Sequence, residues 1–312
     1  MYKNLFRIPT KDMPHEEWLE HRRKHIGGSD ASAIIGMNSY SSPYTVWADK
    51  LGKIPPKEDN EAMRLGRDLE DYVAKRFTEE TGKKVRRENN ILINPDIPFA
   101  HANVDRMIVG EDAGFEAKTT SALNTKKFKN GEYPENYYVQ CVHYLMVTGC
   151  ERWYLGVLVL GVEFKWFVIE RDEGEIEALK KSEADFWEYV KSGNAPVADG
   201  SDSTSDTLKT IYPESNGESV SLMAYESDLQ QYMTLSSLLD DVKKQKEEVA
   251  NRIKAFMGEA AKGECNKFKV SWTSSVRNTF DHKTFAKDNP DVDLSGYYKQ
   301  TPTRTFKVSE NK

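Results

Sequence analysis

The sequence predicts an α/β (α+β) protein: a mixed central sheet flanked by helices over residues 1–195, then an accessory C-terminal region, 222–312, with one long helix and a few strands, for oligomerisation, DNA contact or partner contact. Three observations carry this. The periodic segments run helix, meander of short strands, helix, two strands, helix, an order that builds a mixed sheet covered by helices. The 312 residues exceed one average domain, and 38% hydrophobic with 30% charged residues describes a globular chain, not a disordered one. Composition shifts over residues 196–221, where Ser, Asp, Thr, Gly and Pro dominate and a linker is expected.

Leu65, Leu69, Val73 and Phe77 recur at helical spacing, and Gly82 stands at the C-cap position. Short apolar runs at 91–94, 99–108 and 114–120, separated by Pro and Gly, read as successive strands. Pro134 can occupy the first turn of a helix through YYVQCVHYLMVT that closes at Gly149; its apolar residues lie all round, so burial is expected. RWYLGVLVL and VEFKWFVIE, joined near Gly161, form a hairpin, and a closing helix follows over EGEIEALKKSEADFWEYVKS. Beyond the linker, a long helix from about Ser227 to Gly258 spaces Leu235, Leu239, Val242, Val249, Ile253 and Phe256 in alternating steps of four and three, with Lys246 breaking the series. Two readings of it stay open, a short coiled-coil seam and a helix packing on its own domain. Residues 267–273 and 304–309 are strand-like, and Asp281 can cap a helix between them.

Charge and cysteines bound the function. Lys plus Arg number 44 against 50 Asp plus Glu, and the net charge of −6 holds no general basic excess of the kind that advertises nucleic-acid binding. Basic residues are nonetheless grouped as Arg22-Arg23-Lys24, Lys83-Lys84 with Arg86-Arg87, and Lys126-Lys127 with Lys129, which could line an enclosed channel while the outer surface stays acidic. Cys141, Cys150 and Cys265 lack C-x-x-C spacing, which argues against a disulfide framework, a zinc ribbon or an iron–sulfur cluster and suits the cytoplasm. The N-terminal run has no apolar core of a leader, and the most apolar stretch, 153–162, is far short of a bilayer span, so no membrane partner is expected.

Period-two geometry places Glu116 and Lys118 on one face of a strand and Asp105 near the end of the preceding one, with His101 and Asn103 on its face. If the two strands are neighbours, the short connection through Gly110 and Gly114 brings Asp105 beside Glu116. Two converging carboxylates repel unless a cation or a proton lies between them. A divalent metal is the economical expectation; oxygen-only ligation suits Mg²⁺ or Mn²⁺, which polarises a phosphoryl oxygen and acidifies water. Lys118 could orient or help deprotonate that water and offset charge developing on phosphorus. A D-x10-E-x-K pattern alone arises by chance in solvated strands; here Phe115 and Ala117 flank the charges, where burial would otherwise be costly. His25, His101 and His143 have no partner spacing that compels ligation and read as structural.

Five segments, IGGSDASAIIGMNSYSSPYTVW, LGRDLEDYVAKRF, HANVDRMI, GFEAKT and YYVQCVHYLMVTG, occur in an order and spacing that resembles the YqaJ-like viral recombinase family. That family is similar to bacteriophage lambda exonuclease and belongs to the PD-(D/E)XK nuclease superfamily. The resemblance covers about Trp18 to Tyr189. It implies a PD-(D/E)XK restriction-endonuclease-like core and an Mg²⁺-dependent exodeoxyribonuclease that digests one strand of linear duplex DNA 5′ to 3′ to mononucleotides, leaving 3′ tails for recombination by strand annealing. Matched residue by residue, Asp105 and Glu116 are the metal-binding acids, Lys118 the catalytic lysine, Glu70 the helix carboxylate supporting the metal and Gln140 the glutamine of the following helix. The carbonyl of Ala117 would be a further ligand, and Arg22 and Ser29 match positions that hold the terminal or scissile phosphate. Val104 stands where the superfamily usually has proline, a residue that shapes the backbone and binds nothing.

The resemblance also implies double-stranded DNA ends as substrate, a homo-oligomer with a trimer favoured, and a single-strand annealing recombinase as partner. Without it, Glu70 is a flanking carboxylate paired with Arg67 or Lys75, Gln140 satisfies a buried backbone group, and Arg22 belongs to a solvated charged run. Ser29 follows Ile26-Gly27-Gly28, where glycine freedom and helix N-terminal amides would receive a phosphate. The alternatives are a structure- or sequence-specific endonuclease on the same core and a non-catalytic module that binds DNA ends.

Overall fold

Strand β1 (Phe6–Pro9) is followed by helices α1 (His15–Arg23), α2 (Gly28–Ile34), α3 (Pro43–Lys50) and α4 (Glu61–Thr81) in a computed structural model that describes residues 4–299 and 303–310. Asn60 starts α4 by accepting the Met63 N–H at 3.0 Å, and Gly82 ends it in the left-handed conformation with φ 72°. Strands β2 (Val85–Arg87), β3 (Asn90–Ile93), β4 (His101–Asn103), β5 (Arg106–Ile108) and β6 (Ala113–Thr120) form the meander. Helix α5 (Glu135–Thr148) then carries the chain across one face, and β7 (Arg152–Val159), β8 (Glu163–Glu170) and α6 (Glu173–Ser192) follow.

The expected mixed sheet is present, with five strands in the order β2-β5-β6-β7-β8. The α5 crossover makes β6 and β7 parallel, and every other neighbouring pair is antiparallel. On one face Val73 and Phe77 of α4 pack on Phe115, Tyr154 and Phe164; on the other, Leu145 of α5 packs with Trp153, Leu155 and Val157. Helix α5 is buried from Val139 to Thr148, as its all-round apolar surface requires. Alternation along β6 sends Phe115 toward α4 and Glu116 toward α5. Gly114 shares the α5 face, where a Cβ would lie 2.2 Å from the Trp153 ring.

Three expectations need correction. The run 99–108 is not one strand: β4 joins a separate antiparallel sheet, β1-β3-β4, whereas β5 pairs with β2 and β6. The chain bends at Val104-Asp105 because the Asp105 carboxylate takes the Ala117 N–H at 2.8 Å and Arg106 turns into ion pairs with α4. Residues 196–221 are not all linker, since α7 (Asp202–Ile211) lies within them. Its hydroxyls build the contact with α3: Thr207 Oγ1 lies 2.8 Å from Thr45 Oγ1, and Thr204 donates to Ser42 Oγ at 2.7 Å, while Leu208 and Ile211 pack into the cluster around Trp47. The first compact unit therefore runs to Tyr212.

The second unit, 213–312, contains α8 (Glu226–Met257), a hairpin of β9 (Lys262–Glu264) and β10 (Lys269–Ser271), and α9 (His282–Asp288). The third correction falls here: 304–309 forms no strand, and β10 covers only the middle of 267–273. None of the described residues of this unit is buried, so α8 does not pack its apolar stripe into a core of its own domain. All three cysteines are free, with Cys141 and Cys150 buried and Cys265 exposed. Among the described residues no helix is long and apolar enough to cross a membrane.

Candidate active site

The antiparallel register of β5 and β6 sets Arg106 opposite Phe115, so Asp105, one step outward, stands beside Glu116. Glu116 is buried, and its Oε1 accepts from Lys118 Nζ at 2.6 Å and from Gln140 Nε2 at 2.7 Å. Gln140 Nε2 also donates to the Tyr144 hydroxyl at 2.7 Å, and that hydroxyl donates to the Asn103 carbonyl at 3.2 Å. Gln140 thus holds a carboxylate instead of satisfying a backbone group. Burial disfavours the Lys118 ammonium, but Glu116 and Asp105 more than offset it and hold the amine above its usual range; Lys118 Nζ also lies 5.5 Å from the Tyr137 ring centre.

Arg22 and Ser29 face these groups across one cleft of about 180 Å³, which Asp105, Glu116 and Gln140 also line. Arg22 Nη2 donates to Ser29 Oγ at 3.2 Å, and its guanidinium lies 5.1 Å from the centre of the Trp18 ring. Buried Asp30 fixes this wall by accepting from Lys50 Nζ at 2.6 Å and from the Gly27 N–H at 3.0 Å, with Arg22 at 3.5 Å. Burial opposes ionisation of Asp30, but Lys50 and Arg22 overcome it and hold the carboxyl well below its usual range. Gly28 is required by close approach, not by left-handed backbone: a Cβ there would meet the Tyr144 ring at 2.7 Å and Gln140 Cγ at 3.0 Å. The Gly27 amide is already occupied by Asp30, and the Arg22 and Ser29 side chains line the cleft beside it.

Whether the acids suit a divalent cation can be read from their unmet needs. Glu116 Oε2 is buried with no hydrogen-bond partner, and the Asp105 carboxyl is pushed up to about 7 by burial and by the neighbouring Glu116. Both conditions call for added positive charge, and carboxylate oxygens are the donors that Mg²⁺ and Mn²⁺ accept, so the residues fit such an ion. Glu70 lies close enough to Asp105 for their charges to interact, yet its Oε1 pairs with Arg106 Nη1 at 2.8 Å, not with Arg67 or Lys75. Among the described residues no group of three or more His, Cys, Asp or Glu side chains is arranged to hold a metal, so Asp105 and Glu116 would need main-chain, water or substrate oxygens to complete a shell. Ala117 enters the site through its amide, on Asp105.

Sequence reasoning missed Arg106, buried and paired with Glu70 and with Asp71 at 2.5 Å, although a lone Arg in the apolar run VDRMI was a signal. It missed Tyr144, one helical turn beyond Gln140, and the Asp30–Lys50 pair, which no periodicity connects. His143 is structural: its Nδ1 lies 2.7 Å from Glu183 Oε1 and its Nε2 donates to the His101 carbonyl at 2.9 Å. Of the basic groups, Lys83, Arg86 and Arg87 are each paired with acids, whereas Lys126, Lys127 and Lys129 make no ion pair among the described residues.

The profile of the YqaJ-like viral recombinase domain matches residues 17–151, the segment that carries most of this site. In fold, the chain is similar to the alkaline exonuclease LHK-Exo of Laribacter hongkongensis, at 20% identity and a TM-score of 0.50 over 57% of this chain and 93% of that one, both alone and in its complex with dAMP. The fold is accordingly shared with that alkaline exonuclease. Uncharacterized protein YqaJ of Bacillus subtilis (strain 168) is 42% identical over 307 residues, 96% of each chain. With that similarity running through both units and the profile centred on the cleft, the chain belongs to the YqaJ-like viral recombinase family.

Proposed function

We propose that this chain is an Mg²⁺-dependent exodeoxyribonuclease, with Mn²⁺ also suited to the site, that digests one strand of linear duplex DNA 5′ to 3′ and leaves 3′ tails for strand annealing. The observation that carries the reading is the meeting of Asp105, Glu116, Lys118 and Gln140 with Arg22 and Ser29 at one cleft. The dAMP bound by a fold relative is the class of product this reaction would release.

In this reading Asp105, Glu116 and the Ala117 carbonyl hold the cation, with Glu70 supporting through Arg106. The ion would supply Lewis-acid polarisation of the phosphoryl oxygen and a more acidic water. Gln140 fixes the Glu116 carboxylate in place. Lys118 offers its N–H groups to the incoming water and a positive charge to the phosphorane-like transition state. Arg22 and Ser29 bind the phosphate of the 5′ end and so align the next linkage. Water adds to the phosphorus of that next linkage and gives up a proton to solvent, the bond from phosphorus to the 3′ oxygen of the terminal nucleotide breaks, and that oxygen takes up a proton as the 5′-mononucleotide departs. Assembly as a trimer, a single-strand annealing recombinase as partner and action in the cytoplasm belong to the same reading.

A linear duplex labelled at its 5′ or its 3′ ends tests it. With Mg²⁺ the 5′ label should leave first as mononucleotide, EDTA should stop release, and a covalently closed circle should stay intact. Cleavage of the circle would favour the endonuclease reading, and release in EDTA would refute metal dependence.

A further inference from the structure

We infer that Arg106 is a positioning residue of the cation site: it ties the α4 turn that carries Glu70 to the main chain of Asp105, and so governs how tightly a divalent ion is held. The inference rests on the reading of Asp105 and Glu116 as cation ligands. Arg106 Nη1 donates to Glu70 Oε1 at 2.8 Å and to the Asp105 carbonyl at 3.1 Å, while Nη2 donates to Asp71 Oδ1 at 2.5 Å. The Arg106 side chain is only 4% exposed, so these bonds form out of water, where they are strongest. A planar guanidinium can serve two neighbouring carboxylates and a carbonyl at once. A lysine ammonium, a point charge on a flexible stem, cannot hold the same three groups in one geometry.

The place of this link along α4 explains why it bears on the site and not on the fold alone. Apolar packing holds the helix to the sheet from Val73 onward: its buried residues are Val73, Ala74 and Phe77, clustered with Phe115, Tyr154 and Phe164. Glu70 lies just under one turn earlier, where that packing has not begun and the hold on the sheet is the Arg106 guanidinium. Pairs along the helix surface, such as Arg64 with Asp68 and Lys75 with Glu79, fix nothing outside the helix. On the strand side, the Asp105 carboxylate takes the Ala117 N–H at 2.8 Å, so with its carbonyl on Arg106 this residue is held from both ends at the bend between β4 and β5. Asp71 also accepts from Arg87 Nη2 at 2.6 Å, which braces the outer end of the fork from β2. Glu70 and Asp105 lie close enough for their charges to repel, and the guanidinium offsets that repulsion while fixing both in place.

The test uses the full chain without DNA and Mn²⁺ alone as the probe, with free Mn²⁺ read by electron paramagnetic resonance. The wild-type chain should bind Mn²⁺, and Glu116→Ala should lose that binding. Arg106→Lys, which keeps the charge but not the fork, should weaken Mn²⁺ binding roughly 10- to 100-fold and raise the Mn²⁺ concentration for half-maximal nucleotide release by a similar factor. Asp71→Asn loosens only the outer end of the fork and should weaken binding by less; it decides the matter if Arg106→Lys does not fold. Glu70→Gln should weaken binding too, and Arg106→Lys added to it should cost a smaller factor than in the wild-type chain, because the arginine acts through Glu70. Wild-type affinity in Arg106→Lys, or in Asp71→Asn where that variant alone folds, would overturn the inference and leave the cation site standing, as would full additivity with Glu70→Gln. A lowered unfolding midpoint with unchanged Mn²⁺ affinity would do so in favour of a purely structural role. A wild-type chain that binds no more Mn²⁺ than Glu116→Ala would overturn the cation site itself, and the inference with it.

Discussion

Lys50 and Lys254 each lie within hydrogen-bond reach of a carboxylate, at 2.6 Å from Asp30 and 2.8 Å from Glu247, yet the first side chain has no exposure and the second is 38% exposed. The pairs typify their units. In residues 4–212 buried charges such as Asp30, Arg106 and Glu116 each hold a charged partner within 3 Å. In residues 213–310 no described residue is buried, and every charge and aromatic ring meets solvent. The difference separates two ways of handling polar groups: fixing their position before a ligand arrives, and leaving them accessible to a ligand that supplies the order.

The comparison breaks most visibly if the buried pair proves dispensable. Lys50→Met strands the Asp30 carboxylate and removes the Lys50 donation to the Arg22 carbonyl at 2.7 Å, so denaturant unfolding should show a loss of roughly 3–5 kcal/mol. Because Asp30 is held below its ordinary 3.8 in the folded protein, its contribution is present above that pH and is lost as pH falls toward the depressed value. The gap between wild type and variant should accordingly narrow below about pH 4. An equal gap from neutral to acid pH would show that the pair does not act through the Asp30 charge.

Lys118→Ala addresses chemistry on the same frame. Nucleotide release should fall by roughly 10²–10³, and the loss should persist at temperatures where the variant is fully folded, because removing the ammonium also leaves the buried Glu116 carboxylate without its ion-pair partner. Glu116→Ala should act likewise. Wild-type release from either purified variant would remove these residues from the site.

The boundary between the units can be sharpened by two truncations. A chain ending at Tyr212 keeps α7 on α3, whereas one ending at Gly200 loses the Thr45, Ser42 and Trp47 contacts and should be less stable by roughly 2–4 kcal/mol. Equal unfolding midpoints would return residues 201–212 to the linker.

That misreading has a physical source. Ser, Thr and Asp are common both to flexible linkers and to helix caps, and composition cannot reveal that Thr204 and Thr207 find hydroxyl partners in a helix more than 150 residues earlier. Where the signal is local, the sequence was legible: the closing helix has the bounds expected of it, Glu173–Ser192, and alternation along β6 alone put Glu116 and Lys118 on one face. Asp105 beside Glu116 needed one assumption, that the strands are neighbours, which β5 and β6 satisfy. The Asp30–Lys50 pair and the hold of Gln140 on Glu116 were not legible, because side chains brought together by tertiary packing leave no trace in spacing. Net charge is uninformative in a related way, because it sums acids buried around the cleft with charges that meet solvent elsewhere.

Gly28→Ala makes the smallest change in the cleft and tests how rigid that frame is. The new methyl would sit 2.7 Å from the Tyr144 ring and 3.0 Å from Gln140 Cγ, so Tyr144, Gln140 or α2 must move. A displacement of Gln140 would loosen its hold on Glu116 Oε1. We expect a stability loss of roughly 1–3 kcal/mol, together with slower nucleotide release than that loss explains at temperatures where the variant is fully folded. Lys254→Ala on α8, which removes one exposed pair and no packing, should leave both the unfolding midpoint and nucleotide release unchanged. If Gly28→Ala were as silent as Lys254→Ala, the wall carrying Ser29 would have room to yield, and close packing could not be what positions Gln140 against Glu116.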